Sequence, residues 1–235
     1  MAKNLAIITA RGGSKRIPKK NIKNFFGKPV IAYTIQSALE SRIFDKVIVS
    51  TDCNEIAQIA RQYGAEIPFM RSKKNSNDSA STADVLFEVL QEYKKVNFLP
   101  KYACCIYPVA PLLLKNHYQQ AYKKLIENNF DSTFAITKYP APIEWALEKS
   151  GKKIFSTNKE SLALRSQDIK EKYYDAGQFY FFDVFRFLSY KSIITNNSGW
   201  IEMNSLECQD VDNLDDWNML EAKWLARSIK KGQQE

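Results

Sequence analysis

The chain has 235 residues, 45% of them hydrophobic, and its 34 basic and 26 acidic side chains give a net charge of +8. This length and apolar content predict one substantial core, with room for a small appended lobe. The chain contains no run of about 18 apolar residues that would span a bilayer, and its basic start lacks the apolar stretch of a signal peptide. We therefore expect a cytoplasmic protein that does not bind a membrane.

Cysteine and histidine usage argues against two kinds of site. The four cysteines form no C-x-x-C pair, and Cys104 and Cys105 lie inside an apolar run, so we expect reduced, mostly buried thiols. His117 is the only histidine. A Ser-His-Asp triad or a histidine-rich metal site is therefore not expected.

The excess positive charge lies in one segment. The first 39 residues hold eight lysines and arginines and no acidic residue, and the rest of the chain holds 26 residues of each sign. A nucleic-acid-binding protein usually spreads its cations over a face or along a helix, often among aromatic residues. This distribution favours a small anionic ligand instead, and nucleic acid is not an expected partner.

The first predicted element is a strand at 5–8, which leads into a cationic loop at 9–21. Gly12 and Gly13 of this loop tolerate positive φ and allow main-chain N–H groups to approach anionic oxygens closely. The loop matches neither the Walker spacing nor the dinucleotide fingerprint. It nevertheless suits a polyphosphate such as a nucleoside triphosphate. The cations that would neutralise the phosphates are Arg11, Lys15 and Lys20.

The next elements alternate between helix and strand. After Pro29, apolar residues recur at helical spacing as far as Ser41, and a strand is predicted at 46–50. A second helix follows at 54–63 and a short strand at 66–70. This alternation is typical of a parallel sheet with helices packed on its faces.

A polar loop at 71–79 precedes a helix predicted at 82–93, for which Ser81 and Asp84 supply a capping box. The continuous apolar run at 102–107 predicts a central parallel strand. Ligands of open α/β sheets bind at the carboxyl ends of the strands. We therefore expect the loops that follow the first strand, residue 70 and residue 107 to share one rim.

The last part of the chain is less regular. Residues 139–174 show weak patterning, which we interpret as a lobe or dimerisation arm that interrupts the sheet. The other predicted elements are a helix at 115–128, strands at 132–137, 178–182 and 206–211, an irregular stretch at 193–200, and a terminal helix capped by Asn213.

Asp210 and Asp212 are separated by one residue in a predicted strand, so their side chains project to the same face. Two neighbouring carboxylates repel each other unless a proton or a cation intervenes. A hard divalent ion held by these oxygens and by substrate phosphates would relieve the repulsion. The alternative is an ordinary acidic pair exposed to water.

Four segments together resemble one enzyme family over nearly the whole chain. They are TARGGSKRIPKKN at 9–21, VSTD at 49–52, the stretch at 71–82, and QDVD at 209–212 followed by DDW. This pattern is similar to that of the CMP-sugar-acid cytidylyltransferases, the family of the sialic acid synthetases. The resemblance implies an α/β fold with a mostly parallel, Rossmann-like nucleotidyltransferase sheet and helices on both faces. It further implies a single domain over 1–235, with a small dimerisation and sugar-binding insertion at about 139–174.

The resemblance also implies the reaction, in which CMP passes from CTP to the anomeric hydroxyl of a sugar acid and pyrophosphate is released. It implies a homodimer that uses Mg²⁺ (or Mn²⁺), with Asp210 and Asp212 as the metal ligands. The residues in CTP-binding positions are Arg11, Gly12, Gly13, Ser14, Lys15, Lys20, Asn21, Arg71, Ala80, Ser81 and Thr82. The catalytic residues are Arg11, Lys15 and Asp210, the last as candidate general base, with a metal-bound hydroxide as the alternative. Ser81 as a simple helix cap and Arg71 as a surface ion-pair partner remain open.

At the sugar end the chain departs from the N-acetylneuraminate pattern. YPVAPLL stands at 107–113 where that branch has QPTSPLR, and DAGQFY at 175–180 replaces its Asn-Gly. These segments, with RSQD at 165–168, resemble the pseudaminic acid branch. The sugar-binding residues that this implies are Tyr107, Arg165, Gln167, Gln178 and Tyr180, with Arg165 as partner of the carboxylate. For Gln167, Gln178 and Tyr180 the alternative of a purely structural strand or loop residue remains open.

Two sets of alternatives remain. Within the same reaction, the expected acceptor is pseudaminic acid, and the alternatives are N-acetylneuraminate, legionaminate and a 3-deoxy-octulosonate. In another class, the chain is a non-catalytic nucleotide- or nucleic-acid-binding protein that uses only its basic segment. The distance between the acidic pair and Lys15 distinguishes these classes, because a polyanion-binding module has no reason to place carboxylates beside its cations.

Overall fold

The computed structural model describes residues 3–232. Its main sheet has six strands in the order β10-β6-β9-β5-β1-β4, and two short sheets pair β2 with β3 and β7 with β8. The strands are β1 (Asn4–Thr9), β2 (Asn24–Phe25), β3 (Lys28–Pro29), β4 (Lys46–Ser50), β5 (Tyr102–Ile106), β6 (Ser132–Lys138), β7 (Leu147–Ser150), β8 (Lys153–Ser156), β9 (Tyr173–Asp183) and β10 (Ser198–Glu202). The α-helices are α1 (Val30–Glu40), α2 (Asn54–Gln62), α3 (Thr82–Lys95), α4 (Lys115–Glu127), α5 (Val184–Tyr190) and α6 (Leu214–Gly232).

The directions of the strands decide which loops meet. β1 is parallel to β4 and β5, and β10 is parallel to β6, whereas β9 is antiparallel to both β5 and β6. Five strands of the main sheet therefore run one way and only β9 runs against them. As a consequence, the start of β9 lies at the same edge of the sheet as the ends of β1 and β5.

Helices cover both faces of the sheet, as predicted. On β1, Ala6 and Ile8 point to a cluster that contains residues of α1, α2 and α4. Leu5 and Ile7 point to the opposite cluster, which contains residues of α3 and α5. This alternation follows from the period of two of a strand, and it buries apolar side chains on both sides of the sheet. The mostly parallel α/β fold class is confirmed.

A third apolar cluster fastens the C-terminal helix to the N-terminal loop. Val211 and Trp217 pack there with Ile17 and Phe25, and all four are almost fully buried. The Trp217 ring also meets the Phe25 ring edge to face, with ring centroids 5.8 Å apart. This packing holds residues 209–212 against the cationic loop, although nearly 200 positions separate the two in sequence.

Most of the predicted elements are present within two residues of their expected bounds, and Ser81 and Asp84 form the predicted capping box. The strand predicted at 66–70 is wrong. Only Glu66 bridges to Ile48, through hydrogen bonds of the Glu66 N–H to Val47 and of the Val49 N–H to Glu66. Pro68 has no N–H to extend this pairing, so the ladder ends there.

The strand predicted at 206–211 is also wrong, since these residues form no strand. Cys208 and Val211 are its buried apolar positions, and a spacing of three cannot place both on one face of a strand. The stretch predicted to be irregular at 193–200 instead contains the start of β10. Gly199 of that strand lies so close to Phe130 that an added Cβ would sit 2.3 Å from the ring. This contact requires a glycine, and a glycine weakens the strand signal in the sequence.

The weakly patterned region at 139–172 lies outside the main sheet. It contains the β7–β8 hairpin and short 3₁₀ turns, and the hairpin residues other than Ser156 are exposed. The end predicted at 174 is displaced slightly, because Tyr173 and Tyr174 already belong to β9 and pair with β6. None of the helices within residues 3–232 is long and apolar enough to cross a membrane.

Candidate active site

A cavity of about 560 Å³ opens at the edge where β1 and β5 end. Its wall is built from the loop after β1, the polar loop before α3, the residues after β5, the start of β9, and the segment before α6. The predicted shared rim is thus present. Of the residues predicted to bind CTP or metal, those that line it are Arg11, Ser14, Lys15, Lys20, Asn21, Arg71, Ala80, Thr82, Asp210 and Asp212.

The acidic pair meets the cationic loop directly. Arg16 forms an ion pair with Asp212, with 2.7 Å between Nη2 and Oδ1, and the Lys20 ammonium donates to the main-chain oxygen of Val211, between the two aspartates. Asp210 and Asp212 therefore lie on the same cavity as Lys15. This arrangement agrees with the catalytic hypothesis and argues against a module that uses the basic segment alone. The two aspartates lie in a loop and not, as predicted, in a strand.

The negative charge of Asp210 is electrostatically unfavourable in this site. The Asp210 side chain opens to the cavity, but the protein around it excludes much of the water, which raises the pKa of its carboxyl. The charge of Asp212 raises that pKa further, and Lys20 partly opposes the effect. Burial lowers the pKa of the Lys20 ammonium, while Asp212 and Asp210 act in the opposite direction. A further cation at the aspartates would relieve their repulsion.

Arg11 and Lys15 are bridged by an acid that the sequence analysis did not single out. The Asp78 carboxylate accepts a hydrogen bond of 2.7 Å from Arg11 Nη1 and one of 2.5 Å from Lys15 Nζ. Arg11 also donates to the main-chain oxygen of Asn77, 3.2 Å away. The tip of the polar loop is therefore in contact with the two cations nearest to the expected phosphates.

The two glycines of the loop act differently from the prediction. Neither Gly12 nor Gly13 has a positive φ, and neither lines the cavity. The Gly12 N–H donates to Asp52 Oδ1 at 2.8 Å, so it is not free to contact an anion. A Cβ at Gly12 would lie 2.8 Å from the Cβ of Cys53, so this glycine is required for the close approach of two loops.

The residues expected to read the base divide into two groups. Arg71 lies in the cavity wall but is buried, and it donates to the hydroxyl and main-chain oxygen of Ser50 at 3.0 and 2.5 Å. The alternative of a surface ion-pair partner is thus wrong. Ser81 is committed to the capping box of α3 and does not line the cavity. The hydroxyl of Thr82 lies 3.4 Å from that of Tyr107.

Asn21 carries an unsatisfied polar atom in the cavity wall. Its side-chain amide donates to the main-chain oxygen of Arg11 at 2.9 Å, which fixes its orientation. Its Oδ1 is buried and has no hydrogen-bond partner. Asn21 therefore holds the main chain of the cationic loop at Arg11 in the cavity wall.

The predicted sugar-binding residues are dispersed. Tyr107 lines the cavity, and its ring meets that of Tyr180 at 5.6 Å between centroids. Tyr180 and Gln178 are buried behind it, and the Tyr180 hydroxyl donates to Asp175 Oδ2 at 2.6 Å. Gln178 donates to main-chain oxygens of Ala176 and Gly177, and its own Oε1 lacks a partner.

Arg165 and Gln167 do not line this cavity. Arg165 is exposed on the insertion and pairs with Asp168 over 2.9 Å. Gln167 lines a separate cavity of about 300 Å³ between the insertion and the end of β6, with Tyr139, Lys138 and Lys172 in its wall. Within one protomer the insertion therefore keeps these two residues apart from the acidic pair.

The two carboxylates fit a magnesium ion whose remaining ligands are substrate phosphates and water. Within residues 3–232 no cluster of three or more histidines, cysteines or carboxylates forms a self-sufficient metal cage. Mg²⁺ is commonly held by one or two carboxylates together with substrate phosphates. Asp210 and Asp212, with their mutual repulsion, match that requirement.

Several cavity residues escaped the sequence analysis, among them Arg16, Asn75, Asn77 and Asp78. Arg16 lies inside the cationic loop, so its charge was a usable signal. The other three lie in the polar loop at 71–79, in which only Arg71 was assigned a role. Only the fold shows that this loop turns back over Arg11 and Lys15.

Comparison with solved structures agrees with this fold. CMP:2-keto-3-deoxy-manno-octonic acid synthetase complexed with CTP superimposes with a TM-score of 0.71, over 97% of this chain and 100% of that one. The 4-diphosphocytidyl-2C-methyl-D-erythritol synthase of Anaerococcus prevotii gives a TM-score of 0.62 over 95% and 99%. The sequence identities are only 16% and 15%, so these two similarities establish the fold alone.

Sequence comparison goes further. Two proteins of Campylobacter jejuni strains, both named pseudaminic acid cytidylyltransferase, are 44% identical to this chain over 180 residues, which is 76% of this chain and 78% of theirs. The N-acylneuraminate cytidylyltransferase A of Danio rerio is 38% identical over 57% of this chain and 30% of its own length. A family model described as cytidylyltransferase matches residues 5–199. With the Campylobacter relatives, that match shows that this chain belongs to the cytidylyltransferase family.

Proposed function

We propose that this protein transfers CMP from CTP to the anomeric hydroxyl of a nonulosonic acid and releases pyrophosphate, and that the acid is pseudaminic acid. The family membership supports the reaction. The names of the Campylobacter relatives, at 44% identity, support the sugar. The observation that carries the proposal is the meeting of Lys15, Lys20 and the acidic pair on one cavity.

The nucleotide would lie with its triphosphate along the cationic loop. Arg11 and Lys15 are exposed enough to exchange their present partner for phosphate oxygens, since their side chains are 37% and 79% accessible. Asn21 lines the same cavity and is a further candidate for contact with the nucleotide. Arg71, Ala80 and Thr82, which line the same cavity, remain the candidates for reading cytosine, which presents acceptors to an arginine or a hydroxyl.

Asp210 and Asp212 would hold a divalent metal, Mg²⁺ or Mn²⁺, together with the triphosphate. The ion would supply charge neutralisation at the phosphates. The side chains of the cationic loop then orient the α-phosphorus and stabilise the negative charge that moves to the leaving pyrophosphate. In this step the anomeric oxygen forms a bond to the α-phosphorus as the bond to the pyrophosphate oxygen breaks. Asp210 is the candidate acceptor of the hydroxyl proton.

Tyr107 lines the wall from which the sugar acid would be recognised, and Gln178 and Tyr180 lie buried behind it. Arg165 and Gln167 would reach a site only in a homodimer, where the insertion of one protomer extends over the cavity of its partner. The exposed apolar side chains of the hairpin, Leu147, Ile154 and Phe155, support such a contact, because they are 48–61% accessible in one protomer.

The test is pyrophosphate release from CTP and Mg²⁺ with pseudaminic, N-acetylneuraminic, legionaminic and 3-deoxy-octulosonic acids. We expect turnover to be fastest with pseudaminic acid. Faster turnover with another acid would correct the sugar and leave the reaction intact. Tight CTP binding without turnover of any acid would contradict the enzymatic proposal.

Lys15→Ala should lower kcat/KM about 10²- to 10³-fold in the same assay, by analogy with the loss of one preorganised donor to a developing anion. Lys123→Ala is the matched control. Lys123 is also a highly exposed lysine with one acidic partner, Glu127, but it lies on α4 away from the cavity. Equal losses in the two variants would remove Lys15 from the catalytic residues.

A further inference from the structure

Asp78 occupies the position where the proposed function requires phosphate. Its two carboxylate oxygens each accept from one cation, Oδ1 from Arg11 and Oδ2 from Lys15. A phosphate group that bridges the same two side chains would make the same pair of contacts. Since Arg11 and Lys15 serve as the phosphate-binding cations, a bound triphosphate and Asp78 compete for them.

The loop that carries Asp78 is anchored at its base and held at its tip by this contact. Glu88 of α3 accepts from the Ser72 main chain and hydroxyl at 2.8 and 3.1 Å, and also from the Asn75 amide. At the tip, Asn77 Oδ1 caps a tight turn by accepting from the N–H groups of Ser79 and Ala80, both at 2.9 Å. Beyond this turn, the ion pairs to Arg11 and Lys15 are the contacts that bind the Asp78 side chain to the cavity.

Exposure makes these ion pairs exchangeable. The Asp78 side chain is 53% accessible, and hydrogen bonds from Lys15 and Arg11 lower the pKa of its carboxyl, so it is charged at neutral pH. Exposed ion pairs are weak and are screened by water, so an incoming anion of higher charge can replace one. A pyrophosphate or triphosphate carries more charge than one carboxylate, whereas the single phosphodiester of a CMP-sugar does not.

We propose that Asp78 is an internal anion that the triphosphate displaces from Arg11 and Lys15, and that its return favours the release of pyrophosphate after the reaction. This inference rests on the proposed function. Asp78 would thereby select ligands by charge. A ligand must carry more negative charge than one carboxylate to displace Asp78 from the two cations. The phosphodiester of the CMP-sugar product carries no more charge than the Asp78 carboxylate and therefore has no advantage over it.

The test is the affinity of the full-length protein for inorganic pyrophosphate and for CTP, measured by calorimetry with Mg²⁺ present and without sugar acid. Asp78→Asn removes the charge and keeps the shape of the side chain. We expect it to bind both ligands about three- to tenfold more tightly than the wild type, which is in the range for the loss of two exposed ion pairs. Pyrophosphate should inhibit the variant at correspondingly lower concentration during turnover.

Glu66→Gln is the matched control, since it removes one exposed carboxylate that pairs with Lys46 away from the cavity and changes the net charge equally. Its affinities should equal those of the wild type. Affinities of Asp78→Asn that are unchanged or weaker relative to this control would overturn the inference alone. A wild-type protein that binds neither pyrophosphate nor CTP would overturn the proposed function with it.

Discussion

Asp210 depends on a glycine for its position. Gly177, near the start of β9, has φ +61°, and a Cβ built on it would lie 3.0 Å from Cγ of Asp210 and 3.2 Å from its Oδ2. A side chain at residue 177 would therefore push the carboxylate away from its place in the cavity wall. The backbone conformation adds a second cost, because residues other than glycine rarely adopt positive φ.

Gly177→Ala should lose about 1–2 kcal/mol of stability from the backbone and, in addition, lower kcat about 10²-fold through displacement of Asp210. Gly151→Ala separates the two effects. Gly151 has φ +58° in the β7–β8 turn, but a Cβ added there would meet nothing within 4 Å. It should lose similar stability in a urea titration and keep its pyrophosphate-release rate. Full activity of Gly177→Ala would show that Asp210 tolerates the shift.

Helix α4 has a start that is sensitive to pH. Its N-terminal turn is closed by the single histidine, since the Leu114 N–H donates to Nδ1 of His117 at 3.2 Å. His117 is buried, and burial lowers its pKa below the ordinary value of 6.5. Glu207 acts on this pKa in the opposite direction and Arg227 in the same direction. The neutral imidazole is therefore the form that the folded protein requires.

The sign of the pH effect follows from this lowered pKa. Above pH 6.5 the imidazole is neutral in both folded and unfolded chains, so its contribution is fully present. As the pH falls below that value, the unfolded chain binds a proton at His117 that the folded chain does not bind. The free energy of unfolding then decreases by at most about 1.4 kcal/mol per pH unit.

His117→Gln keeps an acceptor at the third helical position and removes the proton. We expect the free energy of unfolding of the wild type to fall more steeply than that of this variant between pH 7.5 and 5.5. Urea titrations at the two pH values measure the difference. Parallel losses in the two proteins would mean that other groups cause the acid sensitivity.

Local patterns also explain which elements were predictable. The strands at 46–50 and 102–106 are short apolar runs with clear boundaries, and the start of α3 is recognisable from the capping-box residues Ser81 and Asp84. The edge strand β10 was missed because Gly199 is present for contact with Phe130 and weakens the strand signal. The false strand at 206–211 arose because its apolar residues pack against other loops, which no local pattern records.

At the scale of the whole molecule, the β7–β8 hairpin exposes apolar side chains that no other described part of the protomer covers. Ile154 is 61% accessible and Phe155 is 48% accessible. Burial of this surface against a second copy of the chain would stabilise a dimer. The proposed homodimer therefore predicts that the hairpin is part of the interface.

Ile154→Lys should convert a dimer to a monomer without unfolding it, because this side chain does not belong to a core cluster. It should also raise KM for the sugar acid by about tenfold or more if the partner's insertion completes that site. Analytical ultracentrifugation and pyrophosphate release measure the two effects. Phe185→Lys, at a 78% accessible position on α5, is the control. A wild-type monomer with full activity would contradict the homodimer.

The amino-acid sequence by itself determined the class of the sheet, the cationic character of the loop after β1, and the resemblance to a family. These features are local, since they depend on apolar periodicity, on residue types within a short segment, and on capping. The confirmed positions of most strands and helices have the same origin.

Only the tertiary structure decided that Asp210 and Asp212 face the cationic loop, that Gly12 serves loop packing, and that Asp78 bridges Arg11 and Lys15. Each of these contacts joins residues 40 or more positions apart, as Gly12 and Asp52 show. The first exists because Trp217 and Val211 pack on Ile17 and Phe25, and the second because β1 and β4 are parallel neighbours whose ends meet. Contacts of this kind come from the burial of apolar surface between distant segments, which a reading of neighbouring residues does not contain.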